Sequence, residues 1–242
     1  MKLLRYVIAI TLIIALAFAL TACDIEADEV DASATDVKES VVEEMKEDNK
    51  VVASLHNPGE SITDWNVALA FLQEGNARHV ANRTISRDDF GSDRDVLKDA
   101  QKPFASIVTC ADSRVAPELY FDQKSGDIFV VRNAGNIADT TAMGSLEFSV
   151  AALEVPLIVV VGHSSCGAVK GTIAGGEYPA ALQSILDFIA PGIAGIEDLD
   201  EATIANVEAQ VKNIQEDEIV KSAGTKVIGA IYDIGTGKIT WL

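Results

Sequence analysis

The chain has 242 residues, 48% of them hydrophobic, which is enough for one domain with a substantial core plus a tether. It carries 37 acidic against 19 basic side chains, a formal charge of −18. That balance excludes nucleic acid as an electrostatic partner and gives anionic lipid no attraction either; a solvated, soluble surface accounts for it.

The first element is a leader, MKLLRYVIAITLIIALAFALTAC. Lys2 and Arg5 form a short basic region, an apolar run extends from Tyr6 to Leu20, and Leu20-Thr21-Ala22-Cys23 reads as a lipobox. The run is short for a spanning helix and is followed by the small residues a signal peptidase requires. The expectation is a lipoprotein signal peptide over residues 1–22, with Cys23 as the lipidated first residue of the mature protein. The chain would then be exported and held by its lipid on the outer face of the cytoplasmic membrane or in the periplasm. Residues 23–60, including DIEADEVDASATD, are acidic and poor in aromatics, the composition of a tether. The folded domain is expected over 61–242, opening with a helix start at Ser61 to Asp64 and an apolar face of Val67, Leu69, Phe71 and Leu72 that ends at Gly75.

Beyond the polar stretch RDDFGSDRD, strands and helices alternate. PFASIVT (Pro103 to Thr109), IFVVR (Ile128 to Arg132) and LIVVV (Leu157 to Val161) are continuous apolar runs, as strands buried on both faces of a parallel sheet must be. TTAMGSLEFSVAALEV lies between the last two and predicts a helix, capped by Thr140 or Thr141, with Leu146, Val150 and Leu153 on one face. ALQSILDFIA and the longer EATIANVEAQVKNIQEDEIV predict further helices. KVIGAIY (Lys226 to Tyr232) is a fourth strand, turned by Gly235-Thr-Gly237 into KITWL as a hairpin. The fold class is α/β: a mainly parallel β-sheet flanked by helices, with a C-terminal hairpin.

In such a sheet, sites form at the carboxyl ends of strands. Cys110 ends the first strand, within CADSR, and His163 and Cys166 follow the third, within GHSSCG. In an oxidising compartment the default for two such cysteines is a disulfide. Two thiolates and one imidazole, however, are also a borderline-soft shell suited to zinc, and three protein ligands leave a fourth position open, as in catalytic zinc sites. Asp112 is the nearest group to that position. If it pairs with Arg114, the guanidinium holds the carboxylate ionised and oriented, able to accept a proton from a metal-activated water.

C-A-D-S-R followed by G-H-S-S-C-G resembles the β-class carbonic anhydrases, whose hallmark is C-x-D-x-R with H-x-x-C. The resemblance continues through FLQEGNARHV, CADSRVAPELYFDQ, GDIFVVRNAGN and GSLEFSVAALEVPLIVVVGHSSCGAVKG to the last strand. It implies one zinc per chain on Cys110, His163 and Cys166, and reversible hydration of carbon dioxide to bicarbonate and a proton by a zinc-bound hydroxide. In that mechanism Asp112 accepts the hydroxide's hydrogen bond and Arg114 holds Asp112. It also implies a homodimer or higher homo-oligomer, with Gln123 as the residue that contacts a neighbouring subunit's substrate pocket. One branch of the family has a Trp three residues before the first ligand and pairs it with an Arg in a bicarbonate-binding pocket. Here that position is Ile107, which predicts no such pocket and leaves Arg132 to brace the strand end.

Three alternatives stand beside this. Hydrolysis of carbonyl sulfide or carbon disulfide would use the same zinc groups. A non-catalytic zinc-binding lipoprotein would keep the fold without the chemistry, although Asp112 and Arg114 are both present. A disulfide-stapled binding domain would join Cys110 to Cys166.

Overall fold

The computed structural model describes residues 56–57, 59–85 and 90–242. The leader, Cys23 and the tether up to residue 55 lie outside the described residues. Packed structure reaches back to His56, ahead of the expected start at Ser61. His56 is buried between Phe71 and Phe104, and its Nδ1 is 2.8 Å from Asp127 Oδ1.

The elements in chain order are α1 (Trp65–Val80), α2 (Phe90–Leu97), β1 (Ala105–Cys110), α3 (Pro117–Tyr120), β2 (Ile128–Asn133) and a 3₁₀ turn (Ala134–Asn136). They continue with α4 (Thr140–Ala151), β3 (Leu157–His163), α5 (Gly167–Ala174), α6 (Ala180–Ile189) and a second 3₁₀ turn (Ala190–Ile193). The last four are α7 (Leu199–Glu216), α8 (Glu218–Ala223), β4 (Lys226–Tyr232) and β5 (Ile239–Trp241).

The strands form one sheet in the order β2-β1-β3-β4-β5, parallel except for β5, which pairs antiparallel with β4 as the closing hairpin. Every residue of β1 and β3 is buried, which is why both read as unbroken apolar runs. Alternate side chains of β3 serve opposite faces. Leu157, Val159 and Val161 pack with Ala68 and Leu72 of α1, while Ile158 and Val160 meet Leu146 and Val150 of α4 and Val207 and Ile214 of α7. Each such aliphatic side chain taken from water contributes about 1.5–3 kcal/mol.

Two local expectations are corrected. The cap of α4 is Asp139, not Thr140 or Thr141: its carboxylate accepts from Ala142 N at 2.9 Å, and an anion there also complements the helix dipole. The long C-terminal helix is two helices, because Asp217 takes extended backbone and caps α8 by accepting from Ile219 N and Val220 N.

Close approach of α1 is permitted by Gly75, where a Cβ would stand 1.7 Å from Phe121 O. Asn76 beside it ties three elements together. Its Nδ2 donates to Tyr120 O and Gly237 O, and its Oδ1 accepts from Ile239 N. The helix is thereby fixed to α3 and to the hairpin.

Candidate metal centre

Because β1 and β3 are neighbours, their carboxyl ends bring Cys110 and His163 side by side. Ser165, at φ 60, turns the chain sharply enough for Cys166, the residue before α5, to come back to the same point. One ligand atom from each of Cys110, His163 and Cys166 lies within 4.8 Å of the others, and all three residues are buried. Both cysteines are free thiols.

The donor atoms fit a metal ion. His163 Nδ1 lies 3.0 Å from Ser164 O; since a carbonyl can only accept, the hydrogen is assigned to Nδ1 and the lone pair to Nε2. That Nε2 is buried without a hydrogen-bond partner. Leaving such a group unsatisfied costs about 1–3 kcal/mol, and a cation bound there removes the cost. Two sulfurs and one imidazole nitrogen are a zinc donor set.

The electrostatics agree. The pKa of the Cys110 thiol is lowered, first by its hydrogen bond with Cys166 and, against burial, by His163 and the Gly135 N–H, which donates to Sγ at 3.4 Å. Cys166 is pushed up by the Cys110 sulfur and by burial. The two sulfurs share a hydrogen bond that favours one thiolate between them, and metal binding would release the remaining proton. Burial opposes a charge on His163, but the adjacent Cys110 outweighs it and the pKa is raised.

The Asp112 carboxylate bonds Arg114 and is not one of the three grouped donors. Its Oδ1 accepts from Arg114 N and Nε, both at 2.9 Å, and its Oδ2 from Nη2 at 2.7 Å. This fork holds the carboxyl well below the usual carboxylate range. Arg132 stands behind both residues, donating from Nε to Cys110 O at 3.1 Å and from Nη2 to Asp112 O at 2.8 Å. That is the bracing role expected from the absence of Trp at Ile107.

Gln123 is not part of this cluster. Its Nε2 donates to Phe121 O at 2.7 Å and to Phe71 O at 3.2 Å, beneath α1. Sequence reasoning missed Gly135; its signal was a glycine two residues past a strand end, and its φ of 75 shows the left-handed backbone that favours glycine.

Residues 105–239 match the family profile described as carbonic anhydrase. A carbonic anhydrase of Mycolicibacterium smegmatis is 39% identical over 182 residues, spanning 69% of this chain and 88% of that protein. A cyanobacterial carbonic anhydrase of Synechococcus elongatus is 31% identical, over 62% of this chain and 65% of that protein. Among solved structures, a tetrameric β-carbonic anhydrase of Sordaria macrospora superposes with a TM-score of 0.56 at 30% identity, covering 60% of this chain and 83% of that one. The Coccomyxa β-carbonic anhydrase, solved with acetazolamide, gives 0.57 at 28% identity, covering 75% and 87%. The profile spans the sheet from β1 to β5 and the relatives agree over most of their own length, so this chain belongs to the β-class carbonic anhydrases, zinc enzymes that hydrate carbon dioxide.

Proposed function

We propose that the chain hydrates carbon dioxide reversibly at a zinc ion held by Cys110, His163 and Cys166, with Asp112 and Arg114 as the catalytic pair. The observation that carries this is the fork between Arg114 and Asp112, which keeps the carboxylate off the three-donor cluster and leaves a fourth position for water. Zinc, when bound, supplies the Lewis acidity that brings a water's pKa towards neutrality. Asp112 accepts a hydrogen bond from the nucleophile and so aims its lone pair at the substrate carbon. With its own pKa held so low, Asp112 cannot store the released proton at neutral pH; it orients, and the proton passes to buffer. Arg114 keeps the carboxylate ionised and fixed.

In stopped-flow assays at equal zinc content, Asp112→Ala is expected to lose about 10²-fold or more of the hydration rate. An unchanged rate at full zinc loading would remove Asp112 from the mechanism.

We further propose, from the leader sequence, that the chain is exported and anchored through lipid on Cys23. Fatty-acid labelling that persists in Cys23→Ala would contradict this. A homodimer or larger assembly is proposed as well. It is supported by the half-buried edge strand β2, which leaves Ile128 to Val131 partly uncovered in a single chain, and by the tetrameric Sordaria relative. In it, Gln123 would present Oε1 to a neighbouring pocket, its Nε2 being committed to its own backbone. Sedimentation as a monomer at working concentration would count against it.

A further inference from the structure

Three amide side chains on one face of α7 have no part in the chemistry described so far. Asn206 and Gln210 are 0% and 3% exposed, in a helix face otherwise lined by Val207 and Ile214. Buried amides are costly unless bonded, so their partners show what they hold. Asn206 Nδ2 donates to Gly135 O at 3.0 Å, and Gln210 Nε2 donates to Asn206 Oδ1 at 3.2 Å. Gln210 Oε1 accepts from Ala138 N at 3.0 Å, and Asn213 Nδ2 donates to Ala138 O at 2.9 Å. Apart from the bond between the two buried amides, these bonds end on the loop that follows β2.

That loop is held in an unfavourable backbone. Gly135 and Asn136 are both left-handed, at φ 75 and 48, and a Cβ on Gly135 would meet Ile189 Cδ1 at 2.6 Å. Asn133 closes its two ends, with Nδ2 donating to Ile137 O and Oδ1 accepting from Ile137 N. The bend directs Gly135 N–H onto Cys110 Sγ at 3.4 Å.

The geometry points to Asn206, backed by Gln210, as a positioning residue that holds Gly135 so that its N–H donates to the Cys110 sulfur and tunes that sulfur as a metal ligand. This rests on the reading of Cys110 as a zinc ligand. An N–H bonded to a thiolate draws charge from the sulfur, weakens its donation to the metal and leaves the metal the stronger Lewis acid. Cys166 has amide donors of its own, the Ala168 and Val169 N–H groups of α5, so the two sulfurs are served by different elements and α7 acts on Cys110 alone through the Gly135 loop.

The full chain loaded with cobalt(II) provides the test, because thiolate-to-cobalt charge transfer reports sulfur basicity independently of activity. Asn206→Ala is expected to move that band to longer wavelength, because the sulfur freed of its N–H becomes the stronger donor. Asn213→Ala, which loosens the same loop only at Ala138, should leave the band in place. A band that does not move in Asn206→Ala, or that moves equally in Asn213→Ala, overturns the proposal. Should Asn206→Ala fail to fold, the wild-type chain loaded with spin-active cadmium decides. Scalar coupling from the metal to the Gly135 amide proton supports the N–H to sulfur bond, and its absence overturns it. Absence of any thiolate band in wild type would instead strike at the metal reading of Cys110 itself, and the inference would fall with it.

Discussion

At the scale of single residues, Cys110 and His163 were legible because each stands at the end of a run that reads as a buried strand, strands adjacent in a parallel sheet bring those ends together, and Cys166 follows three residues on in the same motif. The pairing of Asp112 with Arg114 was legible for a local reason: both lie in one turn, two residues apart. Contacts between residues distant in the chain were not. Nothing around Asn206 announces that it will reach Gly135, 71 positions away, and Gln123 spends both its amide hydrogens on backbone carbonyls that no motif displays. His56 likewise is buried against Asp127, 71 positions away. Its pKa is raised: burial opposes the charge, but hydrogen bonds with Asp127 and the Glu60 carbonyl outweigh it. A group raised in the folded state stabilises fully below its ordinary value of 6.5, and that contribution is lost as pH rises through the raised value. Thermal melts of wild type and His56→Gln should therefore differ most below the ordinary value of 6.5 and converge as pH rises through the raised one. A gap that widens with pH would show that His56 is not the protonated partner of Asp127.

At the scale of elements, the four parallel strands follow from branched aliphatic runs, and the hairpin from a Gly-Thr-Gly turn whose Thr236 donates to Asp233 from both N and Oγ1. Element ends depended on which polar side chain won a cap. Asp139 displaced the neighbouring threonines, and Asp217 divided an apolar-periodic stretch that otherwise reads as one helix. Pro117 starts the short α3 at a position where its missing N–H is not needed, a signal too brief to read as an element. The seating of α1 depends on the bare Cα of Gly75. Gly75→Ala would set a methyl 1.7 Å from Phe121 O and 2.8 Å from Gln123 Nε2, so helix and loop must separate. The expected loss is about 3 kcal/mol or more in denaturant unfolding, since a backbone carbonyl cannot move aside as a side chain can. A loss within about 0.5 kcal/mol would mean that α1 is not held at this distance.

At the scale of the whole molecule, the fold joins two requirements at one sheet edge. The fully buried β1 and β3 fix the positions of Cys110 and His163, while the loops beyond them carry the Gly135 N–H that reaches the Cys110 sulfur and the Asp112 backbone that Arg132 braces. A rigid sheet bearing adjustable loops is the usual way such sites are built. Cys110 and Cys166 are not joined to each other, and thiolates held by a metal would not be available to oxidise. The central claim is that one buried zinc on two thiolates and an imidazole carries carbon dioxide hydration. It is tested most directly by measuring zinc content, reactive thiols and stopped-flow hydration on one sample of the full chain, before chelation, after it and after zinc is restored. The account predicts about one zinc per chain, two additional reactive thiols on chelation, and hydration that disappears and returns with the metal. Hydration that survives zinc removal, or a chain in which chelation exposes no thiol, would contradict it.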